Sequence, residues 1–280
     1  MRALFLIAGD ELSQIQALPA AAAVAQQLNF TLQVVCPPAM AAVWKLLPAV
    51  EKVIGFDFND ANLADWANLL GSVREPDFQV CINLAGGRQV DLTLSMSHIP
   101  TRIAARGFSA TTTVAPEAGG WPAQGLEAYL RPIGVQLRAD AYRLSLSAQA
   151  LEQARAELPA GDGPMLLLAP AGIPGDWPGE RWQELPQRIG RTLPGLRSLQ
   201  VNPARAASLL RRAALVACSD VVLASDAVSE ELALLCGVPL VALGRDGDTL
   251  PRRDGVKGLS ARDGLGALTS DDVLAALGLA

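Results

Sequence analysis

The chain has 280 residues, 50% hydrophobic and 18% charged, with 25 glycines, 19 prolines and a formal net charge of -5. That profile belongs to a packed globular protein with many short turns; it excludes disorder, collagen and coiled coil, and the length fits two modest domains. The acidic balance gives no reason to expect nucleic acid as a partner, and the single histidine, His98, excludes a two-histidine metal site.

Short apolar runs alternate with stretches of helical periodicity along the chain. In the first half, strands are predicted at 3–8, 31–36, 52–56, 78–84 and 101–105, with helices at 15–28, 39–47, 61–70 and 88–96. An amphipathic stretch at 148–158 and a turn-rich break at 159–164 separate this series from a second one. There, strands are predicted at 165–169, 196–201, 220–224 and 239–243, and helices at 179–189, 204–214 and 229–236. Two βαβ series imply two α/β units, with domains at 1–150 and 151–280. The carboxy-terminal segment is expected to fold back on the first. Ligands of open α/β sheets bind outside the carboxyl ends of the strands, so the loops there are where chemistry is sought.

Cys36, Cys81, Cys218 and Cys236 stand far apart with no C-x-x-C spacing, the usage of reduced thiols in a cytoplasmic protein. The apolar run at 3–8 stops at Gly9-Asp10, too short for a leader, and no segment has the character of a membrane span. Membrane contact is expected only at the periphery.

Several residues could carry chemistry. Asp10 follows the first strand through Gly9, where it can face a ligand at the mouth of the cleft or cap the helix that follows. Gly86-Gly87-Arg88 can cradle an anion or form a plain turn, and no complete G-x-G-x-x-G surrounds it, which speaks against a dinucleotide-dependent oxidoreductase. His98 reads as a surface or capping residue, and Arg88, Arg102 and Arg106 as either solvated arginines or phosphate ligands.

The run from Met1 to Asp10, followed by Ala17-Leu18-Pro19 and an alanine-rich helix, resembles the amino-terminal signature of glycosyltransferase family 9, the bacterial lipopolysaccharide heptosyltransferases. Weaker likeness continues through 76–84 and 129–131, returns at Trp177-Pro178-Gly179-Glu180-Arg181-Trp182, and is clearest over 219–244. The resemblance implies a GT-B fold, two Rossmann-like domains facing each other across a cleft, with acceptor on the first and nucleotide-sugar donor on the second. It implies inverting transfer of a sugar, from an ADP-sugar or another nucleotide sugar, to a lipopolysaccharide or other glycan acceptor at the cytoplasmic face of the inner membrane. Asp10 would be the general base beside Gly9, and Ala171, Gly172, Trp177, Ser225, Asp226, Ala227, Val228 and Ser229 would line the donor site. The leaving diphosphate would be stabilised without metal or cofactor, by a helix amino terminus and basic side chains.

The donor motif departs from the family pattern. Val228 stands where a glycine is expected and Glu231 where a histidine is expected, and the lysine before Trp177-Pro178 is replaced by Gly175-Asp176. The interval from Trp182 to Asp226 is short, as though one strand-helix unit were missing from the second domain. An alternative reading is therefore a catalytically silent homologue with a binding or assembly role.

Overall fold

In the computed structural model, which describes residues 1–201 and 208–279, the first strand β1 (Arg2–Leu6) is buried on both faces at Ala3 to Leu6 and pairs in parallel with two neighbours. Burial on both faces is what a continuous apolar run requires, and parallel pairing follows from the helical crossovers. The chain divides into two compact units, Met1–Tyr142 and Arg143–Ala280.

In the first unit, β1 is followed by α1 (Glu11–Leu28), β2 (Thr31–Cys36), β3 (Val50–Gly55), α2 (Leu63–Arg74), β4 (Phe78–Asn83), α3 (Arg88–Ser95), β5 (Thr101–Ala104) and β6 (Thr112–Thr113), and then the short helices α4 (Pro122–Gly125) and α5 (Glu127–Leu130). The sheet order is β3-β2-β1-β4-β5-β6, parallel throughout. This is the Rossmann order, and the chain reverses direction across the sheet between β1 and β4, where Leu6 lies opposite Asn83. Alanines at 20 to 23 let α1 lie close over the sheet, and they are buried there.

The second unit begins with α6 (Ala148–Glu157) and continues through β7 (Met165–Ala169), α7 (Gly179–Thr192), β8 (Arg197–Gln200), α8 (Leu209–Ala217), β9 (Val221–Ala224), α9 (Ala227–Cys236), β10 (Leu240–Leu243), β11 (Val256–Leu259) and α10 (Ser270–Leu277). Its parallel sheet has the order β11-β10-β9-β7-β8, so the switch point lies between β7 and β9. Among the described residues this sheet has one strand fewer than the first, and it ends at β8 on the side where the first continues to its outermost strand.

Three expectations are corrected. The apolar spacing at 39–47 forms two 3-10 turns, Pro38–Met40 and Val43–Leu46, rather than an α-helix. Leu47, held extended before Pro48 at φ -120° and ψ 100°, ends the second turn, although Val43, Trp44 and Leu46 are buried as their spacing suggests. The carboxy-terminal segment packs within the second unit: Val273 of α10 joins Leu166, Trp182 and Leu243 in one core, and Arg188 reaches Asp271. Finally, the helix predicted at 204–214 is seen as α8 and extends to Ala217; its first residues, 204–207, lie outside the described residues.

Candidate functional site

Each sheet places one cluster of candidate residues at its switch point. In the first unit, β1 ends at Leu6 and the chain turns through Gly9 into α1. Asp10 caps that helix: its Oδ1 accepts from the Ser13 backbone N–H at 3.0 Å and from Ser13 Oγ at 2.6 Å. These two donors hold the carboxyl below its usual value, so it is ionised at neutral pH. The side chain is exposed, and both Ser13 hydrogen bonds fall on Oδ1. Capping and availability to a ligand thus coexist on one carboxylate. Gly9 is required by the same turn, because a Cβ there would lie 2.4 Å from Ser13 Cβ.

Beneath the turn lies a polar group that the periodicity of α1 did not reveal as functional. Gln14 is fully buried; its amide nitrogen donates to the carbonyls of Ile7 at 3.0 Å and Gly9 at 3.1 Å, and its Oε1 accepts from Trp44 Nε1 at 2.8 Å. A single glutamine inside an otherwise apolar buried stripe is the signal that could have found it, since such a group persists only when its hydrogen bonds are satisfied.

The other first-unit candidates divide into structural and exposed. Arg102 donates from Nε to the Ser109 carbonyl at 2.7 Å and from Nη1 to that of Ile99, so it holds the loop after β5. His98 sits in a left-handed turn, φ 63°, with Nε2 3.2 Å from Arg74 Nη2. Asn83 closes the turn after β4, its Oδ1 accepting from Ala85 and Gly86 N–H at 3.1 Å each. Arg88 and Arg106 are exposed.

In the second unit the structure brings most of the predicted donor residues together, because β7 and β9 are adjacent and end level. The N–H groups of Ser225 and Asp226 donate to the Ala169 carbonyl at 3.0 and 3.2 Å, and Ser225 Oγ accepts from Ala171 N–H at 2.9 Å. Asp176 folds the loop beyond, accepting from Gly172 N–H at 2.9 Å and Trp177 N–H at 2.7 Å. Ala227, exposed, and Val228, half-buried, open α9, whose ten residues end in a left-handed Gly237. Asp226 caps this helix by accepting from Ser229 N–H at 2.8 Å and pairs with Arg212 Nη1 at 3.1 Å.

Trp177 takes a different place. It is 2% exposed, stacked edge-to-face on Trp182 in the core, and its indole N–H donates to the Leu268 carbonyl at 2.9 Å. Arg181 reaches the Gly266 and Leu268 carbonyls, so the Trp-Pro motif anchors the chain leading into α10.

Two carboxylates in the amino-terminal half of α9 turn inward. Glu230 and Glu231 are buried, and Arg245, from the segment after β10, lies 3.3 Å from one and 3.5 Å from the other. Arg245 is itself fixed by Thr249, whose Oγ1 and carbonyl accept at 3.2 and 2.9 Å. Burial raises Glu230 to about 7 in spite of this partner, with the neighbouring Glu231 and Asp226 charges adding to the rise. Neither Arg212 nor Arg245 was apparent as a partner in the sequence, since each meets its carboxylate only through the packing of α8 and of the segment after β10 on α9.

The four cysteines are free thiols; burial pushes Cys36 up to about 11 and Cys81 and Cys236 to about 12, which keeps them protonated and unreactive. Among the described residues, no helix is long and apolar enough to cross a membrane.

No protein-family model and no curated protein matches the chain. Solved structures do. A glycosyl transferase of family 9 from Veillonella parvula superposes with a TM-score of 0.79 at 15% identity, covering 99% of this chain and 96% of that one. The E. coli ADP-heptose lipopolysaccharide heptosyltransferase II gives 0.72 at 16%, covering 99% and 98%, and the E. coli heptosyltransferase WaaC, solved with ADP-2-deoxy-2-fluoro heptose, gives 0.69 at 16%, covering 99% of both chains. At these identities the likeness establishes architecture: the chain is an α/β protein of two Rossmann-like domains with the GT-B fold, built as the family 9 glycosyltransferases and heptosyltransferases are.

Proposed function

We propose that the protein is a glycosyltransferase of the family 9 type, moving a sugar with inversion from a nucleotide-sugar donor to a lipopolysaccharide or other glycan acceptor. The observation that carries this reading is the assembly at the second switch point. The loop after β7 and the amino terminus of α9 are stitched together by Ser225 at the place where α/β folds receive a nucleotide. An ADP-sugar is the donor we favour, because a neighbouring heptosyltransferase was solved with an ADP-sugar analogue. The amino terminus of α9 would meet the diphosphate, and no metal or cofactor enters the scheme.

In the first unit Asp10 would take the proton of the attacking acceptor hydroxyl on Oδ2, with Ser13 holding Oδ1 and the Gln14–Trp44 pair fixing the turn. A carboxylate with a low pKa takes such a proton late, once bonding to the anomeric carbon has acidified the hydroxyl. The acceptor would be presented at the cytoplasmic face of the inner membrane, with the protein associated peripherally.

One observation favours a second reading, a catalytically silent homologue with a binding or assembly role that no longer takes a nucleotide-sugar donor. Arg212 and Arg245, basic groups beside α9, are both engaged by carboxylates of the protein itself. Calorimetric titration with ADP, UDP and GDP and their sugars separates the two. Binding of one of them, strengthened by Val228→Gly, supports the transferase; absence of heat across the panel, with no thermal stabilisation, overturns it.

A further inference from the structure

Away from both switch-point clusters, the first unit holds a groove that neither reading uses. It encloses about 430 Å³, within the range of small-molecule sites, and lies between the end of β3 and the face of α2 that carries Asp65, Leu69 and Ser72 at helical spacing. β3 is the outermost strand on its side of the sheet, so no further strand covers the groove. Ile54, Phe56 and Leu69 supply its apolar lining, and the Phe56 ring is held edge-on by Phe58 and Trp66 at centroid distances of 5.2 and 4.6 Å. The wall is therefore rigid and apolar, the kind of surface that the carbon face of a small ligand can cover.

Charge identifies the occupant. The same groove is lined by three carboxylates, Asp57, Asp60 and Asp65, and by no lysine or arginine. Two of them spend one oxygen locally: Asp57 Oδ1 accepts from the Asn59 and Asp60 N–H groups at 3.1 and 3.3 Å, and Asp65 Oδ2 from the Asn62 N–H at 2.9 Å. Among the described residues no basic side chain forms an ion pair with any of the three. Lys52 comes earlier on β3, toward the opposite edge of the sheet, and does not line the groove. The acids are also too dispersed to share one ion, since among the described residues no three such side chains are placed to hold a metal. Across the switch point the loops after β4 and β5 carry Arg88 and Arg106, so the acidity belongs to this groove and not to the whole carboxyl edge. Dispersed carboxylates beside an apolar wall suit an extended ligand with ammonium groups, which gives each acid a charged N–H donor.

The groove opens at the end of β3, two strands and roughly 10 Å across the sheet from the end of β1 that leads to Asp10. A sugar seated there is a neighbour of the unit that reacts. We infer that the β3–α2 groove is a subsite for an amino sugar of the acceptor, a glycan unit bearing a free ammonium group. The inference rests on the reading of the first unit as the acceptor side, but it involves no donor, so the nucleotide panel and the test below can fail separately.

The test is calorimetric titration of the full chain with the glucosamine disaccharide of chitosan, and with its doubly N-acetylated form as the neutral control. Binding is expected for the free amine alone, weakening with added salt. Asp57→Asn and Asp60→Asn should each lower the affinity roughly two- to fivefold, while Glu75→Gln, which removes an exposed acid outside the groove, leaves it unchanged. Melting temperatures of the three variants should match the parent. No binding of the amine by the unaltered chain, equal binding of the acetylated form, or an equal loss in Glu75→Gln would each overturn the proposal. Tighter binding of tetralysine, lost in Asp60→Asn, would overturn it too, by giving the groove to a basic peptide. If a nucleotide sugar binds while the amine does not, the subsite falls and the transferase reading stands.

Discussion

The indole N–H of Trp44 donates to Gln14 Oε1, and the same glutamine's amide nitrogen donates to the carbonyls of Ile7 and Gly9, so a residue in a 3-10 turn fixes the strand end from which Asp10 projects. Trp44→Phe should cost about 1–3 kcal/mol from the orphaned amide oxygen, and Gln14→Leu more, because it takes the partner from the indole and from the Ile7 and Gly9 carbonyls together. The double variant should cost less than the sum, because neither buried group is then left without its partner. Urea unfolding of the four proteins measures the coupling.

Asp10→Asn should reduce transfer by about 10²- to 10⁴-fold with donor affinity unchanged, if the carboxylate is the base. Its effect on stability has a definite sign. The folded carboxyl lies below its unfolded value, so its contribution is present above about pH 4 and is lost as pH falls through the folded value. The stability gap between parent and Asp10→Asn should therefore close in acid. Ser13→Ala, which removes the strongest of the depressing hydrogen bonds, should move the acidic limb of the rate profile upward.

Glu230 titrates in the opposite sense. Raised to about 7 by burial, it binds more protons folded than unfolded between about pH 4.3 and 7, so its contribution to stability falls as pH rises through that window and stays low above it. Glu230→Gln should flatten this slope, raising the urea midpoint at pH 8 more than at pH 5. Arg245→Met should do the reverse, destabilising by about 3–5 kcal/mol at pH 8 because it takes the ion-pair partner from the buried Glu230, and by less at pH 5.

The Arg212–Asp226 pair is partly buried on both sides, at 13% and 16% exposure, and the same carboxylate caps α9. Asp226→Ala should lose about 0.5–2 kcal/mol of cap alone. A cycle with Arg212→Met should show coupling, and if a donor phosphate uses Arg212, the Asp226→Ala variant should bind nucleoside diphosphate more tightly than the parent.

Much of this was legible in the sequence. The parallel strands were, because runs such as 3–8 and 165–169 are apolar at every position, a pattern that burial on both faces produces. The donor-side loops were as well, since β7 and β9 both end in alanine and give way to Ala171-Gly172 and Ser225-Asp226, short residues that let two backbones approach. What was not legible depends on residues distant in sequence. Trp177 reads as part of the donor site, yet its indole is held by Leu268, 91 residues further on. The charge of Glu231 could be read, but not that it would turn away from the strand edge toward Arg245. Helical spacing at 39–47 was real as burial and misleading as conformation, because the flanking prolines do not alter the apolar pattern.

The hold of Leu268 and Val273 on the core of the second unit also sets an order in time. During synthesis the first unit has every strand of its sheet once Thr113 has left the ribosome, and it can fold while the rest is being made. The second unit cannot seal its Trp177–Trp182 core until α10, which follows every strand of that unit's sheet, emerges. The side of its sheet that carries Leu166 and Leu243 stays incompletely covered until then, which makes that half the natural client for a chaperone and the half in which a nonsense codon near residue 270 would be felt.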